Sequence, residues 1–304
     1  MLLCILTGGN IDLSVGSVVC FAGAVGATLM ESKGMNPWAA SIMMLLIGLL
    51  IGAWQAFWIA YVHVPPFITT LSGMLVFRGL SNVVLNGLTV SLTNAGFVKV
   101  FGGGAECYIP DFLGGNGFNI TCMLVGVIAC VIYVLVQIKN RMNRAKKGYE
   151  MEALSAMVIR TVIICAVILV FMFRLAQYKG IPTALVWVAL VVLIYGYITS
   201  KTTTGRYFYA VGGNEKATKL SGINTNKVYF IAYTNMGFLA ALAGMLTIAR
   251  MTSAQPTYGQ NYEMDAIGAC FVGGASAYGG VGTVPGVIAV SYTHLRAHET
   301  CADL

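Results

Sequence analysis

Long apolar runs separated by short polar intervals make up most of the chain. The runs near 13–30, 37–62, 67–85, 120–138, 156–173, 181–198 and 228–248 each approach the roughly 20 residues that an α-helix needs to cross a hydrocarbon core. None has the alternating ten-residue pattern of a membrane β-barrel strand. The pattern predicts an all-α, polytopic transmembrane helical bundle. Pro65-Pro66 opens the third run, since the first helical turn tolerates proline. Residues 86–119 are a long Gly-rich interval without a clear span. Two apolar segments are broken. Gly8-Gly9-Asn10-Ile11-Asp12 interrupts the first, and Gly273-Gly274 and Gly279-Gly280 interrupt the last. Irregular backbone at membrane depth is tolerated only where it is buried in protein or lines a cavity. Broken helices in both halves of the chain are therefore candidate walls of a translocation pathway, with ordinary glycine packing as the alternative.

Charge sharpens this picture. Only 10% of the 304 residues are charged, against about 25% in soluble domains, too few to cover a water-facing surface. The net charge of +7 comes from cations beside spans, which is the positive-inside pattern and not a nucleic-acid footprint. Lys139, Arg141, Arg144, Lys146 and Lys147 form one basic loop, and 199–227 is the other. Two spans lie between them, so both loops fall on the cytoplasmic side. Counting back places Pro65-Pro66 inside and 86–119 outside.

The chemistry of an enzyme is not visible. VGGNEKAT has a glycine pair and a lysine but lacks the G-K-[ST] ending of a phosphate-binding loop. No nucleophile motif, metalloprotease motif or pair of catalytic carboxylates appears. Cys4, Cys20, Cys122, Cys130, Cys165 and Cys270 lie in apolar runs, Cys107 lies in the predicted outer loop and Cys301 in the tail. Without a C-x-x-C pair, they read as small hydrophobes and not as a metal or redox site. No cofactor is expected.

The longest polar interval, 199–227, holds a short predicted helix. Asn214 is its N-cap, Glu215 complements the dipole of the first turn, Glu215 and Lys219 are spaced i,i+4, and Gly222 ends it. About two turns are not stable alone in water, so a neighbour must hold them. Ala217, Leu220 and Ser221 share a face that can meet a partner protein. Local physics is equally served by a capped turn joining two spans.

Three blocks carry a resemblance: GGNIDLSVGSVVCFAGAVGA, GRYFYAVGGNEKATKLSGINTNKV and ARMTSAQPTYGQNYEMDAIGACFVGGASAYGGVGT, in that order. The chain resembles the permease subunit of bacterial monosaccharide ABC importers over about residues 2–290. The apolar pair around 120–174 and the IPDF at 109–112 are more similar to the xylose or multiple-monosaccharide branch than to the ribose one. The resemblance implies a multi-pass protein of the bacterial inner membrane, surrounded by lipid, that pairs with a second permease copy. It also implies a cytoplasmic ABC ATPase, a periplasmic or lipid-anchored sugar-binding protein and a monosaccharide substrate. Its ATPase-coupling helix falls on Gly213, Asn214, Glu215, Lys216, Ala217, Lys219, Leu220, Ser221 and Gly222.

Other candidate pathway residues are Asp12 with Ser14, Asp265, Gly273 and Gly274 at the breaks, and Phe67, Thr69 and Thr70 on the third run. Asp12 and Asp265 either hold the breaks in shape or cap the helices that follow. Hydroxyls and an aromatic face suit a sugar, but Thr69 and Thr70 are equally able to bond their own helix. Arg78 is expected to snorkel. An ion-coupled secondary transporter of a small polar solute is the alternative, and it would want more buried acids than Asp12 and Asp265. The resemblance also implies further spans, so the chain is read as truncated at both ends, with a permease domain over 1–290. SYTHLRAHET in the 291–304 tail is similar to translated adaptor sequence found on unrelated chains, and the tail is set aside with His294 and His298.

Overall fold

A computed structural model describes residues 1–102, 107–114, 117–146 and 153–291. Lys147 of the basic loop, Cys301 and the tail from 292 onward lie outside the described residues. Two units are present, one holding the described residues of 1–102 and 187–291, the other those of 107–186.

The first unit starts with α1 (Leu2–Leu6), the first break and α2 (Val15–Ala27), which ends in a π turn over Thr28–Ser32. Next come α3 (Pro37–Ala60), α4 (Pro66–Leu85), the two-residue strand β1 (Val90–Ser91) and α5 (Ala95–Phe101). After the second unit the chain continues through most of α8 (Thr183–Lys201), then α9 (Thr203–Gly213), α10 (Glu215–Leu220) and α11 (Thr225–Met251). It closes with β2 (Ser253–Ala254), α12 (Tyr262–Val272) and a helical stretch over 284–291.

Side chains define the helix ends where the sequence places them. Asn36 accepts from Trp38 N ahead of Pro37, Asn224 accepts from Lys227 N, and Pro66 opens α4. The core lies where α11 runs against α2 and α3. A Cβ on Gly237 would lie 2.3 Å from Gly48 O, and one on Gly23 would lie 2.7 Å from Ile248 Cγ2. Helices in lipid gain little from burying apolar surface against one another and pack by close backbone approach.

The second unit pairs α6 (Ile120–Lys146) with α7 (Leu154–Tyr178). Asp111 satisfies the first turn of α6, accepting from Ile120 N and from Thr121 N and Oγ1. Gly126 lets Met172 approach, and the Cys122 thiol reaches Met172 O at 3.4 Å.

Among the described residues, seven helices are long and apolar enough to cross a membrane, and the all-α polytopic bundle is the observed architecture. Three intervals are more ordered than expected. Residues 86–119 contain β1, which pairs antiparallel with β2 through Val90↔Ala254 and Ser91↔Ser253. They also contain α5, which Asn94 caps by accepting from Phe97 N and whose Phe97 and Phe101 are buried, Phe101 stacking on Trp187. α6 runs on through the basic loop to Lys146, since Lys, Arg and Met all favour helix. The interval 199–227 contains α9 in addition to the expected short helix.

Candidate functional site

The two broken segments meet, and the end of α9 meets them both. Gly280 N donates to Leu6 O at 3.0 Å. A Cβ on Gly9 would lie 1.8 Å from Ala277 O, and one on Gly279 would lie 2.5 Å from Gly8 Cα. A Cβ on Gly212 would lie 1.8 Å from Leu6 O, and one on Gly280 would lie 2.8 Å from Gly213 N. Three backbones thus touch without intervening side chains, and glycine is required because any Cβ would have to displace main-chain atoms. Tyr209 of α9 adds a tie by donating to Gly282 O at 2.8 Å. Burial pushes the Tyr209 phenol above its ordinary value, so it stays a donor across physiological pH.

Gly279-Gly280 is the pair that reaches the first break. Gly273 and Gly274 lie where α12 ends. Gly273 allows the 284–291 stretch to fold back, since its Cβ would lie 2.8 Å from Gly286 C, and Gly274 takes the turn at φ +91.

From this junction the chain enters α10. Asn214 caps it by accepting from Ala217 N at 3.0 Å, as expected. Thr218 is its one buried residue, with its hydroxyl 2.8 Å from both Ala210 O and Asn214 O. Gly213, Asn214, Glu215, Lys216, Ala217, Lys219, Leu220, Ser221 and Gly222 are all exposed. Gly222 turns the chain at φ +86, and Leu220 is 89% exposed, an apolar side chain offered outward from a polar loop. Glu215, four residues ahead of Lys219 on α10, also accepts from Tyr229 OH of α11 at 3.2 Å.

The acids at the breaks differ from the simple capping scheme. Asp12 is buried, and its Oδ1 accepts from Ser14 N at 2.8 Å and Ser14 Oγ at 2.7 Å. The N-cap of α2 is Ser14 itself, with Asp12 two residues ahead holding it. Ser14 Oγ also lies 3.0 Å from Gln55 Oε1. A hydroxyl has one proton, so Ser14 serves Asp12 and Gln55 alternately, or the Gln55 amide is turned to donate to Ser14. Buried Gln55 fits only because position 73 is glycine, whose Cβ would lie 2.2 Å from Gln55 Nε2.

Asp265 does not precede its helix. It lies in the first turn of α12 and is exposed, beside a cavity of about 330 Å³ that Ala266, Ala269 and Cys270 also line. The buried acid there is Glu263, passed over in the sequence. Its Oε2 has no hydrogen-bond partner and would lie 2.3 Å from a Cβ on Gly16, in the first turn of α2. That is the positive end of a helix. No local pattern marks Glu263, because its environment is created by α12 meeting α2.

On α4, Phe67 is exposed, while Thr69 and Thr70 are buried. Their hydroxyls donate to Pro65 O at 3.4 Å and Pro66 O at 2.9 Å, so their protons serve their own helix. Among the described residues, no group of three or more His, Cys, Asp or Glu is placed to hold a metal.

Comparison with known proteins adds to this geometry. The family model described as branched-chain amino acid transport system / permease component matches residues 1–106 and 107–295. The xylose transport system permease protein XylH of Escherichia coli is 35% identical over 284 residues, covering 93% of this chain and 69% of that one. XylH of Haemophilus influenzae is 37% identical over 284 residues, with 93% and 72% covered. The ribose import permease protein RbsC of Escherichia coli is 34% identical over 288 residues, with 95% and 68% covered. No solved structure matches the chain. With seven helices among the described residues long and apolar enough to span a membrane and a family match along nearly its whole length, the chain is a multi-pass inner-membrane protein and belongs to the branched-chain amino acid transport system / permease component family.

Proposed function

We propose that this chain is the membrane-spanning permease subunit of an ATP-driven importer that moves a monosaccharide. The sugar assignment is supported by similarity to XylH and RbsC over more than nine-tenths of the chain. A separate cytoplasmic ATPase supplies the energy, a periplasmic or lipid-anchored binding protein delivers the sugar, and a second permease copy completes the pathway. The 199–227 loop couples to the ATPase through α10. The observation that carries the coupling role is the contrast at α10. Every one of its residues except Thr218 is exposed, while Gly212, two residues before Asn214, is packed against the backbone of both broken segments. Asp12, Ser14, Phe67, Thr69, Thr70, Asp265, Gly273 and Gly274 remain the proposed pathway residues, to which Glu263 is added as a buried acid.

A second buried acid, Glu263, in addition to buried Asp12, is the observation that favours the second reading, an ion-coupled carrier. Uptake of D-xylose and D-ribose into proteoliposomes separates the two. The permease reading expects uptake only with the ATPase, ATP on its side and a loaded binding protein. Uptake driven by a proton or sodium gradient without the ATPase would overturn it.

A further inference from the structure

The contacts around α10 assign roles to two residues, Glu215 in its first turn and Tyr229 of α11, on the reading that α10 meets the ATPase. We propose that Glu215 and Tyr229 form a latch, and that through it and the Gly212-Gly213 wedge a displacement of α10 is delivered to both breaks at once. Glu215 and Tyr229 are thus positioning residues of the transport cycle.

α10 has six residues and one buried side chain, too little to keep itself in place. Two ties hold it. Thr218 bonds the carbonyls of Ala210 and Asn214 and so joins α10 to the end of α9. Glu215 accepts from Tyr229 OH, which joins it to α11. The same phenol also pairs with the Asn10 side chain of the first break. One oxygen therefore joins the first turn of α10 to the first break.

The second connection is main chain only. Leu6 O is bonded to Gly280 N and packed against Gly212, whose Cβ would also lie 2.4 Å from Gly280 N. At these contacts the end of α9 meets the two breaks through main-chain atoms, which leave little room to absorb a movement. Close-packed interfaces shift between discrete arrangements and do not deform smoothly. A push on α10 therefore moves residues 6–9 and 276–282 together, and Tyr209, bonded to Gly282 O, holds the second break to α9 during the movement.

Tyr229→Phe removes the phenol oxygen and with it the ties to Glu215 and Asn10. The test compares it with the wild type in proteoliposomes containing the ATPase and the xylose-type binding protein, with D-xylose as probe. The readout is sugar delivered per ATP hydrolysed, with ATPase pull-down measured alongside. Loss of a hydrogen bond to a charged group predicts about a tenfold fall in that ratio, with pull-down and elution profile unchanged. Glu215→Gln keeps an acceptor and is expected within about twofold of wild type, whereas Glu215→Ala lowers the ratio by no more than Tyr229→Phe does and the double variant adds nothing beyond Tyr229→Phe. An unchanged ratio in Tyr229→Phe, multiplying losses in the double variant, or lost pull-down would overturn the latch. Failure of the underlying reading has a different signature: Ala217→Trp would then leave pull-down intact.

Discussion

α7 and α11 are nearly equal in length and both apolar enough to span a membrane, with 25 and 27 residues. Hydropathy ranks α7 the higher of the two, 2.7 against 1.5. Yet α7 buries only Ala176, while α11 buries residues along its whole length, from Thr225 to Ala249. The difference is in side-chain size. α11 has Ala232, Gly237, Ala240, Ala241 and Gly244 on buried positions, and Gly237 approaches Gly48 backbone to backbone. α7 presents Val158, Ile159, Val162, Ile163, Val167 and Val170 outward. Apolarity places a helix in the bilayer, and small residues decide whether it becomes the hub of the protein or faces lipid.

Breaking the hub should have the largest effect. Gly237→Val puts branched carbon into the 2.3 Å space before Gly48 O, and overpacking of this kind costs about 3 kcal/mol or more. Accumulation of folded protein in the membrane is expected to fall to a few per cent, read by fluorescence-detected gel filtration. Equal accumulation of this variant and wild type would remove α11 from the centre of the fold. The next effect in size concerns Gly73. Gly73→Ala brings a methyl against Gln55 Nε2 at 2.2 Å and is expected to lower thermal stability by about 1–3 kcal/mol. Gly73→Ala with Gln55→Ala should recover most of that loss, and no recovery would show that the amide is not the obstacle. At the other end, Val162→Ala and Ile163→Ala on α7 exchange one exposed apolar side chain for another and are expected within about 0.5 kcal/mol of wild type. A large loss from either would mean that a protein, and not lipid, covers that face.

The same contrast explains what could be read from the chain. Apolar runs alone located the spans and the breaks, because a lipid solvent tolerates nothing else at those lengths. The α10 cap was legible because Asn214 acts on Ala217 within one turn. Long-range features were not. Nothing near Glu263 announces its burial against Gly16, nothing near Glu215 names Tyr229, and the pairing of Gly279-Gly280 with Gly8-Gly9 depends on the tertiary fold. α5 was missed because seven residues are too short to show a period. At Thr69 and Thr70 a plausible sugar-facing pair turned out to bond its own helix backbone, a competition that composition cannot settle.

The central claim is that α10 couples the permease to an ATPase, and Ala217→Trp tests it most directly. Ala217 is exposed beside Leu220, no span is altered, and a bulky ring there obstructs a close-fitting partner. Membrane accumulation should match wild type. ATPase pull-down and binding-protein-stimulated ATP hydrolysis should fall together, by about tenfold or more as for the loss of a buried interface contact. Normal pull-down with normal stimulation would contradict the account and leave 199–227 a connecting loop.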